Sequence, residues 1–441
     1  MEVDQDQGSS GSIASHGMPS LGQANATLVV LMLVAVFAYS NVQLFALLAT
    51  DIKGTFGLSD TSIGILQGFT VNFSTVLALI PVGMLVDRIN RVHLLMGASA
   101  MWAVFTLLTG LSETFWQLFA CRVGVGVAEA AIYPASYSLI ADLYAPKRRA
   151  IAVPVFLTGT LAGASIVTAL TGMMIGAIAT MTANGETLWD LSAWRLAFLA
   201  ASVPGFILAL LLIVTREPAR QEDASPTEDV GSITFGAFFA REWTLLARLI
   251  GAMVLSQLGL APIFAWLPTL YARLFDYTAG EAGQLFGGLF GLGSLSGVAI
   301  GTLAVSILSR RDAHNAPLTV LKIGVVLAAA ASIALPFTHT PFAIGAAITV
   351  LIAAIYVGMT VTPTLLMLIA PNHLRGRVVA LQTMSLISTM AVTPPLVGLL
   401  SDRVFAAPDG LLLSTCAVII PACLLAPLLL ASVRRVSPPA A

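Results

Sequence analysis

Long apolar stretches dominate the chain, and short polar breaks interrupt them at regular intervals. Runs long enough to cross a hydrocarbon core as helices, about 20 residues each, lie at 27–50, 62–86, 93–112, 114–140, 150–180, 194–215, 246–272, 283–309, 316–337, 341–370, 376–400 and 410–432. Continuous apolarity over such lengths predicts helices, because an alternating barrel strand would be about ten residues long. The pattern therefore predicts an all-α membrane protein of 12 transmembrane helices. The longest break, REPARQEDASPTEDVGSITF at 216–235, divides the runs six and six. A polar linker at the midpoint suggests two pseudo-symmetric bundles, and short similarities agree. APKRRAIAV (145–153) follows the fourth run as APNHLRGRVVA (370–380) follows the tenth, and GMLVDRINR after the second has a degraded counterpart, GTLAVSILSRR, after the eighth. Paired halves with a polar site near the midplane are a recurring transporter plan.

Composition leaves no room for a soluble fold. Of 441 residues, 57% are hydrophobic and 10% charged, with a mean hydropathy of +0.92, whereas a soluble domain carries about 25% charged residues. A net charge of −1 argues against a nucleic-acid partner. Cys121, Cys416 and Cys423 fall inside apolar runs and suggest neither a disulfide framework nor a metal site. The expected layout is a disordered tail (1–25), an N-terminal six-helix bundle (26–215), a linker (216–240), a C-terminal six-helix bundle (241–433) and a short tail (434–441).

Basic residues set the orientation. One set of alternate connections holds 16 of them: Arg88, Arg91, Lys147, Arg148, Arg149, Arg216, Arg220, Arg241, Arg248, Arg310, Arg311, Lys322, Arg375, Arg377, Arg434 and Arg435. The other set holds Lys53, Arg195, Arg273 and Arg403. Both termini are therefore expected on the cytoplasmic side.

One segment departs from the rule that charge stays at span ends. In CRVGVGVAEAAIYPAS (121–136), Glu129 is the one acid of 22 in the middle third of a predicted span, and Arg122 is the one deep base. Each costs roughly 2.5–3.5 kcal/mol on insertion scales, and such charges are functional by default. Seven residues separate them, about 10.5 Å of rise on nearly one helix face. A partner on the first span, such as Asn41, would complete a polar ladder, with Gly124, Gly126 and Ala128 admitting that helix closely. Desolvation favours the neutral carboxylic acid and a nearby guanidinium the carboxylate, a competition suited to a proton carrier. A purely structural ion pair is the bland alternative, but buried pairs are weak sources of stability. Other polar positions within the spans, candidate substrate contacts, are Tyr133 and Tyr137 on the same helix, Ser256 and Gln257 on the seventh span, and Thr360 and Thr362 on the tenth. Ser and Thr also bond back within membrane helices.

The loop GMLVDRINRVHLL (83–95) resembles that between the second and third helices of the major facilitator superfamily, G-x-x-x-D-R-x-G-R-[RK]. Gly83, Asp87, Arg88 and Arg91 agree; Asn90 replaces a glycine and Val92 a base. Gly83 would permit close helix approach, Asp87 would meet a helix N-terminus across the bundle, and Arg91 can reach Asp142. Together these contacts would latch the cytoplasmic side. Within that superfamily, RVGVGVAEAAIYPASYSLIADLYAPKRRA (122–150) and ATDIKGTFGLSDTSIGILQGF (49–69) resemble bacterial spinster-type transporters. The resemblance implies a proton-coupled carrier of lysophospholipid- or sphingoid-like amphiphiles in a bacterial inner membrane, working as a monomer among membrane lipid. Carriers of small organic anions or drugs share parts of the pattern. Spinster-like first helices carry an Asp-Arg pair where this chain has Asn41 and Val42. The difference implies either another mode of coupling or an inactivated variant, natural or engineered. GLLSDR (398–403) echoes the motif loop at the far end of the eleventh span, as an outer gate at most.

An enzyme would need a nucleophile with its base, a metal cluster or paired carboxylates. All five histidines (His16, His93, His314, His339, His373) fall at or beyond span ends, and no second acid accompanies Glu129. No catalytic residue, metal ligand or cofactor is expected. A channel would need rings of selectivity groups, which one Arg and one Glu do not supply. An anion carrier would hold several bases around its cavity, so a lipid-like substrate is favoured.

Overall fold

A computed structural model describes residues 19–185, 190–220, 234–371, 374–407 and 409–433. The greater part of the expected N-terminal tail (1–18), the middle of the linker (221–233) and the C-terminal tail (434–441) lie outside the described residues. Among the described residues twelve helices are long and apolar enough to span a membrane: α1 Leu21–Leu47, α2 Asp60–Arg88, α3 Arg91–Leu111, α4 Phe115–Leu143, α5 Pro146–Ala183, α6 Ala193–Ile213, α7 Phe235–Phe275, α8 Ala279–Leu308, α9 Ala316–Phe337, α10 Pro341–Ile369, α11 Arg375–Arg403 and α12 Gly410–Ala431. An even number of crossings brings the start of α1 and the close of α12 to one end, here called the terminal end.

The helix starts follow local chemistry. Ser20 with Gln23, Thr114 with Gln117 and Thr278 with Glu281 form reciprocal caps at α1, α4 and α8, satisfying amide donors that the first turn leaves free. Two boundaries differ from the apolar pattern. α1 begins at Leu21, inside the expected tail, because the Ser20 cap nucleates it. α7 begins at Phe235 rather than near 246, because Thr234 caps it and Phe238 and Leu246 bury one face of an amphipathic extension.

The cores separate at one end and fuse at the other. Near the terminal end, one cluster is drawn wholly from α1–α6 (Leu31, Leu139, Phe156, Leu212) and another wholly from α7–α12 (Leu246, Leu321, Leu365, Leu430). Towards the opposite end the clusters join both halves: Leu44, Phe45 and Leu66 pack alongside Trp266, Val397 and Leu411, and Ala164 of α5 packs with Phe264, Phe286 and Phe290. Small residues make this closeness possible. A Cβ on Gly64 or Gly68 of α2 would run into Pro394 of α11, and one on Gly283 of α8 would lie 2.7 Å from Gly172 of α5.

Polar bonds seal that end. The Asp60 carboxylate, 3% exposed, receives Arg273 of α7 at 2.5 and 2.8 Å, Lys53 at 2.5 Å and the Ser401 hydroxyl at 2.8 Å. Asp402 of α11 accepts from the backbone amides of Asp60 (3.1 Å) and Thr61 (2.8 Å) and from the Thr61 hydroxyl (2.6 Å). One half thus caps the start of a helix in the other, where a carboxylate is best placed. The molecule is closed at the end opposite its termini.

Candidate functional site

α4 is not one continuous helix. Its first segment ends at Glu129, Ala130 and Ala131 form a turn, and helix resumes at Ile132. Pro134 explains the break: it has no N–H to give the Ala130 carbonyl, and its ring clashes with that carbonyl in a regular helix. Glu129 therefore sits at the end of a helical segment deep in the protein, on the wall of a cavity of about 190 Å³ between the halves. α1 contributes Tyr39 and Gln43, α2 Gln67 and Asn72, α4 Glu129 and Tyr133, α7 Phe264, and α11 Met390 and Pro394. Glu129 Oε1 is buried without a hydrogen-bond partner, as are both polar atoms of Gln67. Gln43 donates to the Tyr39 hydroxyl at 3.1 Å, and the Tyr39 ring stacks on Phe290, centroids 5.5 Å apart. In the segment carrying Gln67, α2 widens to a π-helical turn (Ile65–Phe69), a feature often found at functional sites.

Arg122 is fully buried behind this wall. Its Nε donates to the Leu66 carbonyl at 3.3 Å, and its guanidinium lies 4.7 Å from the centroid of the Phe45 ring. Neither terminal nitrogen has a hydrogen-bond partner. The expected ladder through Asn41 is not closed here. Asn41 donates instead to Thr106 of α3 at 2.7 Å, and its Oδ1 is buried without a partner. It lines a separate cavity of about 170 Å³ with Trp102, Leu170 and Pro204. The glycines of α4 also serve other neighbours than expected. A Cβ on Gly124 would run into Phe105 of α3, and one on Gly126 into Ser74 and Val71 of α2. α1 reaches Arg122 with a ring, and it is α2 and α3 that need small residues on α4.

Of the other expected cavity residues, Tyr133 lines the wall, whereas Tyr137 packs on Phe156 with centroids 5.7 Å apart. The Ser256, Thr360 and Thr362 hydroxyls bond back to the carbonyls of Ala252, Tyr356 and Gly358 at 2.9, 2.7 and 2.9 Å. Gln257 is buried, with Oε1 unpartnered. None of these four lines the central cavity. Tyr39, Gln43, Gln67 and Asn72 were not anticipated. Neutral side chains in apolar runs give little signal, although the flanking Gly64 and Gly68 hinted that α2 is closely approached.

At the terminal end, Arg91 is 2% exposed and ion-paired with Asp142, as its position implied. It also donates to Glu217 at 2.6 Å and to the Ser138 hydroxyl at 2.9 Å. Glu217 and Arg220, just past α6, were not foreseen: Arg220 donates to the carbonyls of Val86 (2.8 Å), Ile89 (2.9 Å) and Asp87. All of these residues belong to the N-terminal half or to the start of the linker that follows it. Asp87 and Arg88 are exposed, and a Cβ on Gly83 would meet nothing within 4 Å. The close approach expected at Gly83 is thus absent in this conformation, because the halves are apart where it lies. Among the described residues no His/Cys/Asp/Glu group could hold a metal ion.

The comparisons with known proteins agree with this architecture. Residues 31–388 match the family model of the Major Facilitator Superfamily. An MFS-type efflux pump of Mycolicibacterium smegmatis is 28% identical over 69% of this chain and 67% of that protein. A sphingosine-1-phosphate transporter of Danio rerio is 26% identical over 80% of this chain and 71% of its own length. Protein spinster homolog 1 of Rattus norvegicus is 32% identical over 46% of this chain, an alignment that spans 36% of that protein. Crystal structures of a bacterial homolog of the human lysosomal transporter Spinster, inward-facing and either unoccupied or occupied, superpose with TM-scores of 0.74 and 0.75 at 22% identity, covering 94% of this chain and 96% of theirs. This chain is a membrane transporter of the Major Facilitator Superfamily and resembles its spinster branch.

Proposed function

We propose that the protein is a proton-coupled secondary transporter that moves a lipid-like amphiphile by alternating access, with Glu129 taking up and releasing the coupling proton. The observation that carries this reading is the Glu129 carboxyl on the wall of the cavity between the halves, with one oxygen buried and unpartnered. An intramembrane acid without a fixed partner is expensive unless it changes protonation state. Arg122, behind it on the same helix and with two nitrogens unpartnered, is a charge that the deprotonated form can face in another conformation. The conformation described here is the inward-open one if the terminal end is cytoplasmic, as the distribution of basic residues implies. Closing that end would carry Asp87 towards the C-terminal half and re-form the latch expected of Gly83, Asp87, Arg88 and Arg91, while breaking the seal at Asp60.

The apolar and aromatic wall favours an amphiphile over a small anion, and the similarity to a sphingosine-1-phosphate transporter supports that preference. The similarity to an efflux pump supports a drug-like cargo as the second reading. Uptake into proteoliposomes under an imposed pH gradient, with a panel of lysolipids, sphingoid bases and sugar phosphates, tests both. Gradient-driven uptake of one amphiphile class, lost in Glu129→Gln, is expected. Full gradient response in the Gln variant would remove Glu129 from coupling.

A further inference from the structure

The wall of the central cavity carries charge of one sign, and the asymmetry bears on the head group it holds. Among the described residues Glu129 is the one charged side chain lining it, and no lysine, arginine or histidine does so. Arg122 is turned to the Phe45 ring and the Leu66 carbonyl. Two acceptors of wall residues, Glu129 Oε1 and Gln67 Oε1, are buried without donors, against one donor, Gln67 Nε2, without an acceptor, and Tyr39 and Tyr133 add aromatic rings. A carboxylate, an amide oxygen and ring faces are the groups that recognise an organic ammonium, through charge-assisted hydrogen bonds and cation–π attraction. A phosphate needs clustered N–H donors or cations. Here the Gln43 and Asn72 amides already donate to the Tyr39 hydroxyl and the Gly68 carbonyl, so the phosphate would meet the Gln67 amide alone and the repulsion of the acid.

Resting on the transport reading above, we propose that the cargo is an amphiphile with a positively charged amine head and no phosphate, and that it exchanges with the proton on Glu129. The carboxylate can hold a proton or an ammonium, so binding of either releases the other. The groups that line the cavity beside Glu129 are Tyr39 and Gln43 from α1, Gln67 and Asn72 from α2, Tyr133 from its own helix, Phe264 from α7, and Met390 and Pro394 from α11. Arg122, outside the wall, is the other charge that acts on it. One monovalent cation then moves against one proton, and the exchange is electroneutral.

The test is equilibrium binding to the full-length protein in lipid nanodiscs, with radiolabelled dodecylamine and dodecyl phosphate read by scintillation proximity and empty nanodiscs subtracted. At about pH 8 the amine should bind at least roughly tenfold more tightly than the phosphate, as expected for a charge-assisted pair. Its affinity should fall as the pH is lowered, approaching tenfold per unit once the proton competes one-for-one. Glu129→Gln should abolish both the preference and the pH dependence, and Glu129→Asp should keep the preference. Dodecyl phosphate binding to the wild type as tightly as the amine would overturn the proposal, and that comparison needs no variant to fold. Undiminished amine binding in Glu129→Gln would overturn it too. Because binding is read at equilibrium, failure of gradient-driven uptake would count against coupling and leave the head-group assignment standing.

Discussion

The guanidinium of Arg122 lies 4.7 Å from the centroid of the Phe45 ring, and both side chains are fully buried. Phe45 is one helical turn beyond Asn41 on α1, so the first and fourth helices do meet at the depth of the charged pair, through a ring and not an amide. The charge rests on a π-face and one carbonyl while both terminal nitrogens go unpartnered. Such a guanidinium is costly to bury, and a conformation that brings it a carboxylate gains free energy relative to this one.

The Phe45–Arg122 contact should be measurable as a coupling. A desolvated cation–π pair contributes about 1–2 kcal/mol. A double-mutant cycle of Phe45→Leu and Arg122→Gln, scored by thermal unfolding of the purified protein, should give a coupling of about 1 kcal/mol. Strictly additive effects would mean that the ring merely packs against the arginine stem.

Asp60 holds the closed end shut through Arg273, Lys53 and Ser401. Asp60→Asn removes the charge and leaves Arg273 facing a neutral amide at the seam. Breaking one partner of a fully buried ion pair costs about 3–5 kcal/mol; the charges left here, Arg273 and Lys53, are 26% and 33% exposed, so a smaller cost falls on the conformation closed at this end. Spin labels on the outer ends of α2 and α11 should report longer distances in Asp60→Asn. Asp402→Asn should have a weaker effect, since an amide oxygen can still accept from Thr61. A distance distribution unchanged by Asp60→Asn would show that packing of Gly64 and Gly68 on Pro394 closes this end unaided.

Two acids at the terminal end should behave oppositely. Asp142 pairs with an arginine 2% exposed, so Asp142→Asn should lower folding stability by about 3 kcal/mol. Asp87 is exposed in this conformation, so Asp87→Asn should leave the melting temperature within about 1 °C. It should nevertheless shift the population by about 1–2 kcal/mol towards the conformation described here, because the latch it removes belongs to the other one. Labels on the terminal ends of the two halves would register the shift. Equal loss of stability in both variants would contradict the separation of roles.

The parts of this architecture that were legible in the chain are those written in strong, local terms. Twelve spans follow from apolar length, and Arg91–Asp142 follows from two charges at neighbouring helix ends. Glu217 was not legible, because an acid in a polar EPAR stretch reads as solvated until the chain folds it onto Arg91. Asp60 was hidden similarly: its main partner, Arg273, lies in the other half. The cavity amides Gln43, Gln67 and Asn72 carry no charge to stand out within apolar runs. Depth and polarity brought α1 to α4 but missed by one turn, choosing the polar Asn41 where the fold uses Phe45. A π-helical turn and a break after Glu129 shift residue faces in ways that a period of 3.6 cannot register.

Asn41 tests whether that one-turn difference belongs to one conformation or to all. In this state it donates to Thr106 at 2.7 Å and is 3% exposed, with no base among its bonded neighbours. Asn41→Asp replaces the amide donor with a carboxyl group. The neutral acid can still donate to Thr106, but the ionised form cannot, and it would be buried without a counter-charge. If α1 keeps this register throughout the cycle, Asn41→Asp should lose stability relative to the wild type as the pH rises from about 5 to 8. Asn41→Ala should instead show a constant loss of about 1 kcal/mol, the net value of one hydrogen bond. If α1 turns in the other conformation so that position 41 reaches Arg122, the Asp variant gains an ion pair there. It should then keep its stability at high pH, widen the pH-dependent change in spin-label distances and strengthen gradient-driven transport. Thermal unfolding and distance measurements on the same two variants separate these outcomes. The geometry described here fits the first, because position 41 bonds to Thr106 and it is Phe45, one turn away, that meets Arg122.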